Sequence, residues 1–247
     1  MDENQSDGHF GADIASTYDD EHGGNDCRRV DAAVAVLAEL AGGGAALEFA
    51  IGTGRIALPL AAQGITVKGI ELSRAMIAKL REKNGGDAID VVVGDMASDR
   101  VDGQFSLVFL VFNTINNLTT QDEQVACFAN AARHLSDGGR FVVEVAVPPL
   151  RRISPGDTAL AFDRSDTHWG TDEFDFVSQQ FTSHHIWFRA HGPHKKSFPM
   201  RYVWPSELDL MARLAGLELE SRWEDWAKTP FNGESTSHVS VWRRPTG

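Results

Sequence analysis

Three acidic residues fall at the carboxyl ends of apolar runs, each beside a loop. Glu48 sits in ALEFA, two residues ahead of the turn Ala50-Ile51-Gly52-Thr53-Gly54; Glu71 closes ITVKGIE; Asp95 closes IDVVVGD. The small residues of the turn let the chain bend tightly and bring backbone amides at a helix start close to a ligand. A nucleoside-bearing cofactor suits such a cradle. Glu71 lies about 20 residues past the turn, the distance at which an acid accepts the hydrogens of ribose hydroxyls. Asp95 can accept from an adenine amino group, with Leu72 and Met96 offering apolar and polarisable surface to the ring. Taken singly, each acid reads more readily as an N-cap or a solvated strand end. The match Gly52-x-Gly54-x-x-Ala57 also fits a dinucleotide fold. The three acids together favour the nucleoside cradle.

The elements that must position these residues are legible as alternation. ALEFA, ITVKGIE, IDVVVG, FSLVFLVF and RFVVEVAV are short, rich in Val, Ile and Phe, and bounded by turn residues, so they are expected as buried strands of a parallel sheet. Helical patterns lie between them: Arg55 to Ala62, Ser73 to Lys83 with Ser73 as N-cap, and Thr120 to Leu135 closed by Asp137-Gly138-Gly139. Strands alternating with helices specify an α/β, doubly wound sheet whose ligands sit beyond the carboxyl ends of the strands. From about Pro148 to Val203 the alternation stops. FDFVSQQF, HHIWFRA and SFPMRYVW carry aromatic and β-branched residues between turn-forming pieces such as HGPHKK, and are expected as an antiparallel insertion forming a lid. Pro205-Ser206 starts a last helix stopped by Gly216, and LELESRWEDW and SHVSVWRR supply two final strands. The expected organisation is a cofactor-binding core, 1–147 and 204–247, with the lid at 148–203.

Charge and composition exclude several classes. A net charge of -12 repels a phosphate backbone and an anionic membrane surface, so neither nucleic acid nor membrane is an expected partner. MDENQSDGHF has no signal-peptide character and no run of about 18 apolar residues follows, so a cytoplasmic location is expected. Cys27 and Cys127 are too few for a disulfide framework and read as plain buried thiols.

LEFAIGTGRIALPLAAQGITVKGIELSRAMIAKL, VVVGDMAS, FSLVFLVFNTINNLTTQDEQVACFANAARHLSDGGRFVVEV and RYVWPSELDLMARLAGL resemble the motifs of class I S-adenosylmethionine-dependent methyltransferases. The resemblance runs from about Tyr18 to the end of the chain. It is closest to small-molecule members of actinobacterial type, including amino-sugar N-methyltransferases. It implies a Rossmann-like sheet of seven strands with the last antiparallel, and S-adenosylmethionine as cofactor. Glu48 and the turn from Ala50 through Gly52 and Thr53 to Gly54 would hold the methionine end, Glu71 the ribose, and Asp95 and Met96 the adenine. Val111 and Phe112 would flank the sulfonium and Tyr18 would close over the cofactor, with Leu72 and Met76 counted among the binding residues. One departure is Ala50, where the family has a glycine. A Cβ there is expected to demand a negative φ and to bring bulk toward the ligand.

Methyl transfer requires alignment and exclusion of water more than a covalent nucleophile. An amine or hydroxyl acceptor must still lose a proton, for which histidine suits neutral pH. Among His168, His184, His185, His191 and His194, the candidate base is His185, because in SHHIW its side chain points opposite to that of His184. Each of these histidines reads equally as a surface residue. No ordered set of carboxylate or thiolate ligands accompanies them, so no metal is expected. Asn113, a candidate catalytic residue, and Thr114, Asn116 and Asn117 could orient an acceptor, although they are also ordinary turn residues. Asn116, Arg201 and Tyr202 are the candidate substrate contacts. Trp169, Trp187 and Trp204 could line an apolar acceptor pocket, and the aromatic insertion could also pair with a second copy as a homodimer. Two other functions stay open. An NAD(P)-dependent oxidoreductase is favoured by Gly52-x-Gly54-x-x-Ala57 with Glu71 and disfavoured by Glu48 and Asp95. A non-catalytic S-adenosylmethionine-binding protein is motivated by Ala50.

Overall fold

The computed structural model describes residues 7–23, 27–189 and 192–247. In chain order it runs α1 (Ala12–Ala15), α2 (Tyr18–Gly23), α3 (Cys27–Ala41), β1 (Ala46–Phe49), α4 (Ala57–Ala62), β2 (Val67–Glu71), α5 (Arg74–Arg81), β3 (Asp90–Val93), β4 (Phe105–Leu110), α6 (Gln121–His134), β5 (Leu135–Ala146), β6 (Ala159–Arg164), β7 (His168–Asp175), β8 (Gln180–Arg189), β9 (Gly192–Arg201), α7 (Pro205–Leu214), β10 (Glu218–Trp223) and β11 (Ser237–Arg243). Seven strands form one sheet in the order β10-β11-β5-β4-β1-β2-β3. β1 to β5 are mutually parallel, and β11 runs antiparallel to both β5 and β10. The seven-stranded sheet with one antiparallel strand is therefore as expected. The chain winds from β1 to β3 on one side and returns to β4 on the other, so strand order switches between β1 and β4. The loops that follow these two strands face one crevice.

Side chains on the central strands alternate between two helix-covered layers, as the two-residue period of a strand requires. Leu47, Phe49, Val108 and Leu110 pack with Phe128 of α6 and Met211 of α7. Ala46, Leu107 and Phe109 pack with Leu37 of α3 and Leu60 of α4. Helix ends follow local chemistry. Ser73 caps α5 by accepting from the Met76 amide at 3.1 Å, and Thr120 with Glu123 forms a capping box at the start of α6. Pro205 occupies the first turn of α7, and Gly216 follows it with φ +75°.

Several expectations are corrected. IDVVVG is not a buried strand: β3 lies at the sheet edge with Asp90 and Val93 exposed, because no strand among the described residues pairs with its outer side. FSLVFLVF ends as a strand at Leu110, and Val111 and Phe112 belong to the loop. FDFVSQQF is a hairpin, with Phe174 in β7, a turn over 176–179 and Gln180 opening β8. Within HGPHKK, Gly192 to Lys196 begin strand β9, while His191 lies outside the described residues. Pro193 and Pro199 are tolerated there because β9 is an edge strand. β6 to β9 form a separate antiparallel sheet inside the expected insertion. Helix α3 was legible but unread: Ala33, Val34, Leu37, Leu40 and Ala41 recur on one face at helical spacing and are buried. Cys127 is buried, as expected; the side chain of Cys27 lies outside the described residues.

His238 on β11 is fully buried, with Nδ1 2.8 Å from the Ser240 hydroxyl and Nε2 without a partner among the described residues. Burial, reinforced by Arg222, pushes its pKa down to about 3. The neutral ring is thus the folded form. Its contribution to stability is complete above the unfolded value of about 6.5 and is lost as pH falls from there toward the folded value, at about 1.4 kcal/mol per pH unit. Urea denaturation at stepped pH below 6.5 should find this slope in the wild type and a flatter one in His238→Gln; parallel slopes would contradict it.

Candidate functional site

The turn after β1 is built from left-handed residues. Ala50 has φ +52°, Gly52 +56° and Gly54 +78°. The negative φ expected of Ala50 is therefore corrected: this alanine adopts the conformation that favours glycine. Its neighbours hold it there. The Ile51 amide donates to the Ile70 carbonyl at 3.1 Å, and the Gly52 amide donates to Glu71 Oε2 at 2.7 Å. A Cβ on Gly54 would meet Leu80 Cδ1 at 2.3 Å, so that glycine serves helix packing. A Cβ on Gly52 would meet nothing nearer than the Ala50 carbonyl at 3.9 Å, which leaves room for a ligand.

Glu48 is 4% exposed, and its Oε2 is buried without a hydrogen-bond partner among the described residues. Burial pushes its pKa well up, Glu71 adds repulsion, and Arg55 opposes both. Glu71 is also held above the usual carboxylate range by burial, despite amide donors from Ser73 and Gly52. These amides leave lone pairs on its two oxygens, each of which can accept twice. Thr53 is buried and donates from Oγ1 to Asp19 Oδ1 at 2.6 Å; Asp19 also pairs with Lys83 at 2.7 Å. α2 is thereby fastened over the turn, bringing Tyr18 onto the wall formed by Glu48, Gly52 and Arg55. Sequence reasoning took Tyr18 from the family likeness and missed Asp19 and Arg55, although Arg55 directly follows the turn.

The adenine-side expectations divide. Asp95 lies beyond β3, its Oδ1 accepting from the Ala97 amide at 2.8 Å. Leu72 is 47% exposed at the end of β2. Met96 packs with Phe128 and Ala131, and Met76 packs beneath α1 with Ile14 and Ala15.

The opposite wall follows β4. Phe112 and Asn113 are both left-handed, with φ +58° and +63°. Glu144, near the end of β5, accounts for this bend: Oε2 accepts from the Phe112 amide at 3.0 Å and its backbone carbonyl accepts from the Asn113 amide at 3.2 Å. Arg29 of α3 neutralises Glu144 at 2.5 Å. The Arg55 guanidinium sits over the Phe112 ring, 3.7 Å from its centroid. Glu144 was missed, although it is one more acid inside an apolar strand. Asn113 Oδ1 accepts from the Ala146 amide at 2.7 Å, so that side chain ties the loop to β5 as well as facing the crevice. Asn116 is buried on the same wall, with Oδ1 unpartnered among the described residues.

From this crevice a cavity of about 1090 Å³ runs beneath the second sheet. Phe174, Phe181, Ser183, His185, Trp187, Phe198, Met200, Tyr202 and Trp204 line it. His185 and His184 point to opposite faces as expected; His184 bonds Ser197 at 2.8 Å. The His185 ring has Nε2 3.1 Å from Ser183 Oγ and Nδ1 2.9 Å from His168 Nε2, and His168 Nδ1 lies 2.6 Å from Asp163 Oδ2. Asp172 reaches the same cavity with Oδ1 buried and without a hydrogen-bond partner among the described residues. It was not foreseen, because a single acid in a strand carries no spacing signal. Arg201 is corrected: it is buried against Glu207 at 2.7 Å and Gln124 at 2.6 Å, away from the cavity. Trp169 is corrected as well, being 54% exposed on the outer face. Among the described residues there is no cluster that could hold a metal ion.

Residues 46–139 match a methyltransferase domain. The chain is similar to the CcbJ methyltransferase of Streptomyces caelestis, at 36% identity over 97% of this chain and 99% of that one, with a TM-score of 0.82. It is 28% identical to the cypemycin N-terminal methyltransferase of a Streptomyces species over 80% of this chain and 82% of the relative. It is 36% identical to the dTDP-3-amino-3,6-dideoxy-alpha-D-glucopyranose N,N-dimethyltransferase of Streptomyces fradiae over 55% and 54%.

Left-handed φ costs an alanine about 1 to 2 kcal/mol that a glycine does not bear. Ala50→Gly should therefore raise the free energy of unfolding by about 1 kcal/mol in denaturant titration. A destabilised variant would mean that the loop is not left-handed at this position.

Proposed function

The chain belongs to the class I S-adenosylmethionine-dependent methyltransferases, and from that premise we propose that it methylates an amine or hydroxyl group of a small molecule bound beneath the second sheet. The observation that carries this reading is a single crevice with two characters. Its sheet end presents a buried, unpartnered Glu48 oxygen beside an open glycine, and its other end is a large aromatic cavity. An orphaned buried acceptor is costly unless a ligand donates to it, and the room beside Gly52 suits that ligand.

Within the reading, Glu48 accepts from the cofactor's amino group and Arg55 meets its carboxylate. Glu71 takes the ribose hydroxyls through its remaining lone pairs, and Asp95 takes the adenine amino group. When bound, S-adenosylmethionine supplies an electrophilic methyl group on a sulfonium. The protein's task is alignment and dryness. Tyr18, held by the Asp19 anchor, and the aromatic face of β8 and β9 exclude water, while Asn113 and the unpartnered Asn116 oxygen orient the acceptor. The oxidoreductase expectation is set aside by family membership. The non-catalytic alternative loses its motive, because Ala50 keeps the glycine-like path of the loop. The names of relatives acting on amines support a nitrogen acceptor, and the net charge of -12 supports a small-molecule partner over a nucleic acid.

Isothermal calorimetry should detect binding of S-adenosylhomocysteine and no binding of NAD. Arg55→Ala should weaken the former about tenfold or more, equivalent to roughly 1.4 kcal/mol. Equal affinity in wild type and variant would remove Arg55 from the site; an absence of binding in the wild type would end the proposal.

A further inference from the structure

We propose that Asp172 holds the nitrogen of an amine acceptor, and that the proton released there leaves along Ser183, His185 and His168 to solvent at Asp163. The inference rests on the methyl-transfer reading above and narrows its acceptor from amine or hydroxyl to amine.

Asp172 and Ser183 are direct partners across the β7–β8 ladder, so their side chains share the face that also carries His185. That face is the cavity wall. On that wall Phe174 lies two residues along the same strand from Asp172 and Phe198 pairs with Ser183 on β9, and Asp172 Oδ1 is buried without a hydrogen-bond partner among the described residues. Burial holds its carboxyl above the usual range, although the Ser183 hydroxyl and the charge of His184 both favour ionisation. A carboxylate in apolar surroundings is costly until a cation or several donors meet it. An ammonium group brings both, whereas an alcohol brings one donor and no charge.

Behind Asp172 the polar contacts form a line rather than a cluster. Ser183 Oγ is 3.1 Å from His185 Nε2, His185 Nδ1 is 2.9 Å from His168 Nε2, and His168 Nδ1 is 2.6 Å from Asp163 Oδ2. The Asp163 side chain is 38% exposed, so the line runs from the cavity to water. The hydroxyl and both imidazoles can each give a proton on one side while taking one on the other. Asp172 first takes a proton from the bound ammonium, an N–H bond breaking as an O–H bond forms, which frees the nitrogen lone pair. As that lone pair bonds to the methyl carbon, the carbon–sulfur bond breaks and its electron pair stays on the leaving thioether sulfur. One proton then shifts at each link: Asp172 to Ser183, Ser183 to His185, and His185 to His168. Asp172 is left ionised again, and His168 becomes an imidazolium facing the Asp163 carboxylate, from which the proton passes to water. His185 is then a relay between two other groups, and Asp172 is the group that touches the acceptor.

The test uses the full chain with S-adenosylhomocysteine bound, its occupancy established first by calorimetry so that failure of the cofactor reading is seen separately. Cyclohexylammonium and cyclohexanol serve as probes of equal shape. The wild type should bind the ammonium at least about tenfold more tightly than the alcohol, and the isosteric Asp172→Asn should abolish the preference while keeping cofactor affinity. In nitrogen-15 spectra of the histidine rings, Asp172→Asn should shift the His168 nitrogens, and should no longer do so on a Ser183→Ala background. Equal binding of the two probes, binding of neither, or a His168 signal indifferent to Asp172→Asn would each overturn the proposal.

Discussion

Charge buried at the tips of parallel strands is the constraint from which the rest of this molecule follows. Glu48, Glu71 and Glu144 end three strands in the sheet's interior, and all three are buried. A buried carboxylate is tolerated when donors converge on it, and here the donors are mainly backbone amides of the loops. Glu71 gathers Gly52 and Ser73, fixing the turn after β1 and the start of α5 together. Glu144 gathers Phe112 and Arg29, fixing the loop after β4. The crevice between β1 and β4 is shaped by these contacts before any ligand enters. Glu48, alone of the three, keeps a buried oxygen with no partner among the described residues.

The same need explains the strained backbone. Ala50, Phe112 and Asn113 are left-handed residues on the two walls of one crevice. Such conformations persist where the surroundings over-determine them. The ladder contact of Ile51, the Glu71 bond to Gly52 and the Glu144 bonds to Phe112 and Asn113 provide that. Strain at the ligand-facing loops is thus carried by interactions rooted in the sheet, which has two helix-covered faces and little freedom to move.

Closure of the crevice depends on a second set of long-range contacts. The first described residues link the core to the second sheet: Ser73 Oγ donates to the Phe10 carbonyl at 2.6 Å, Phe10 stacks on Phe198 at 5.9 Å, and Lys196 pairs with Asp13 at 2.9 Å. Exposed ion pairs of this kind contribute little individually. Joined to the Phe10–Phe198 contact and the Thr53–Asp19 anchor, they set where Tyr18 lies, and so how the sheet end of the crevice meets the aromatic cavity.

The sequence by itself determined the sheet, the switch in strand order, the helix caps at Ser73 and Thr120, and the acids at Glu48, Glu71 and Asp95. These depend on period, capping chemistry and residues close along the chain. It also determined that His185 and His184 point apart, since alternation along a strand is local. Only the tertiary structure decided what those residues meet. Ala50 looked incompatible with a left-handed turn, yet contacts from β2 outweigh its local preference. Arg201 looked available to a ligand, yet it packs inward against Glu207 and Gln124, because whether a side chain meets a cavity or a core depends on the element laid against it. Glu144, Asp172 and the line from Ser183 to Asp163 carried no spacing signal, since their meaning lies in partners far along the chain or across a ladder whose register the sequence did not state. Local periodicity fixes which way a side chain points; the free energy of burying it is set by neighbours that only folding brings together.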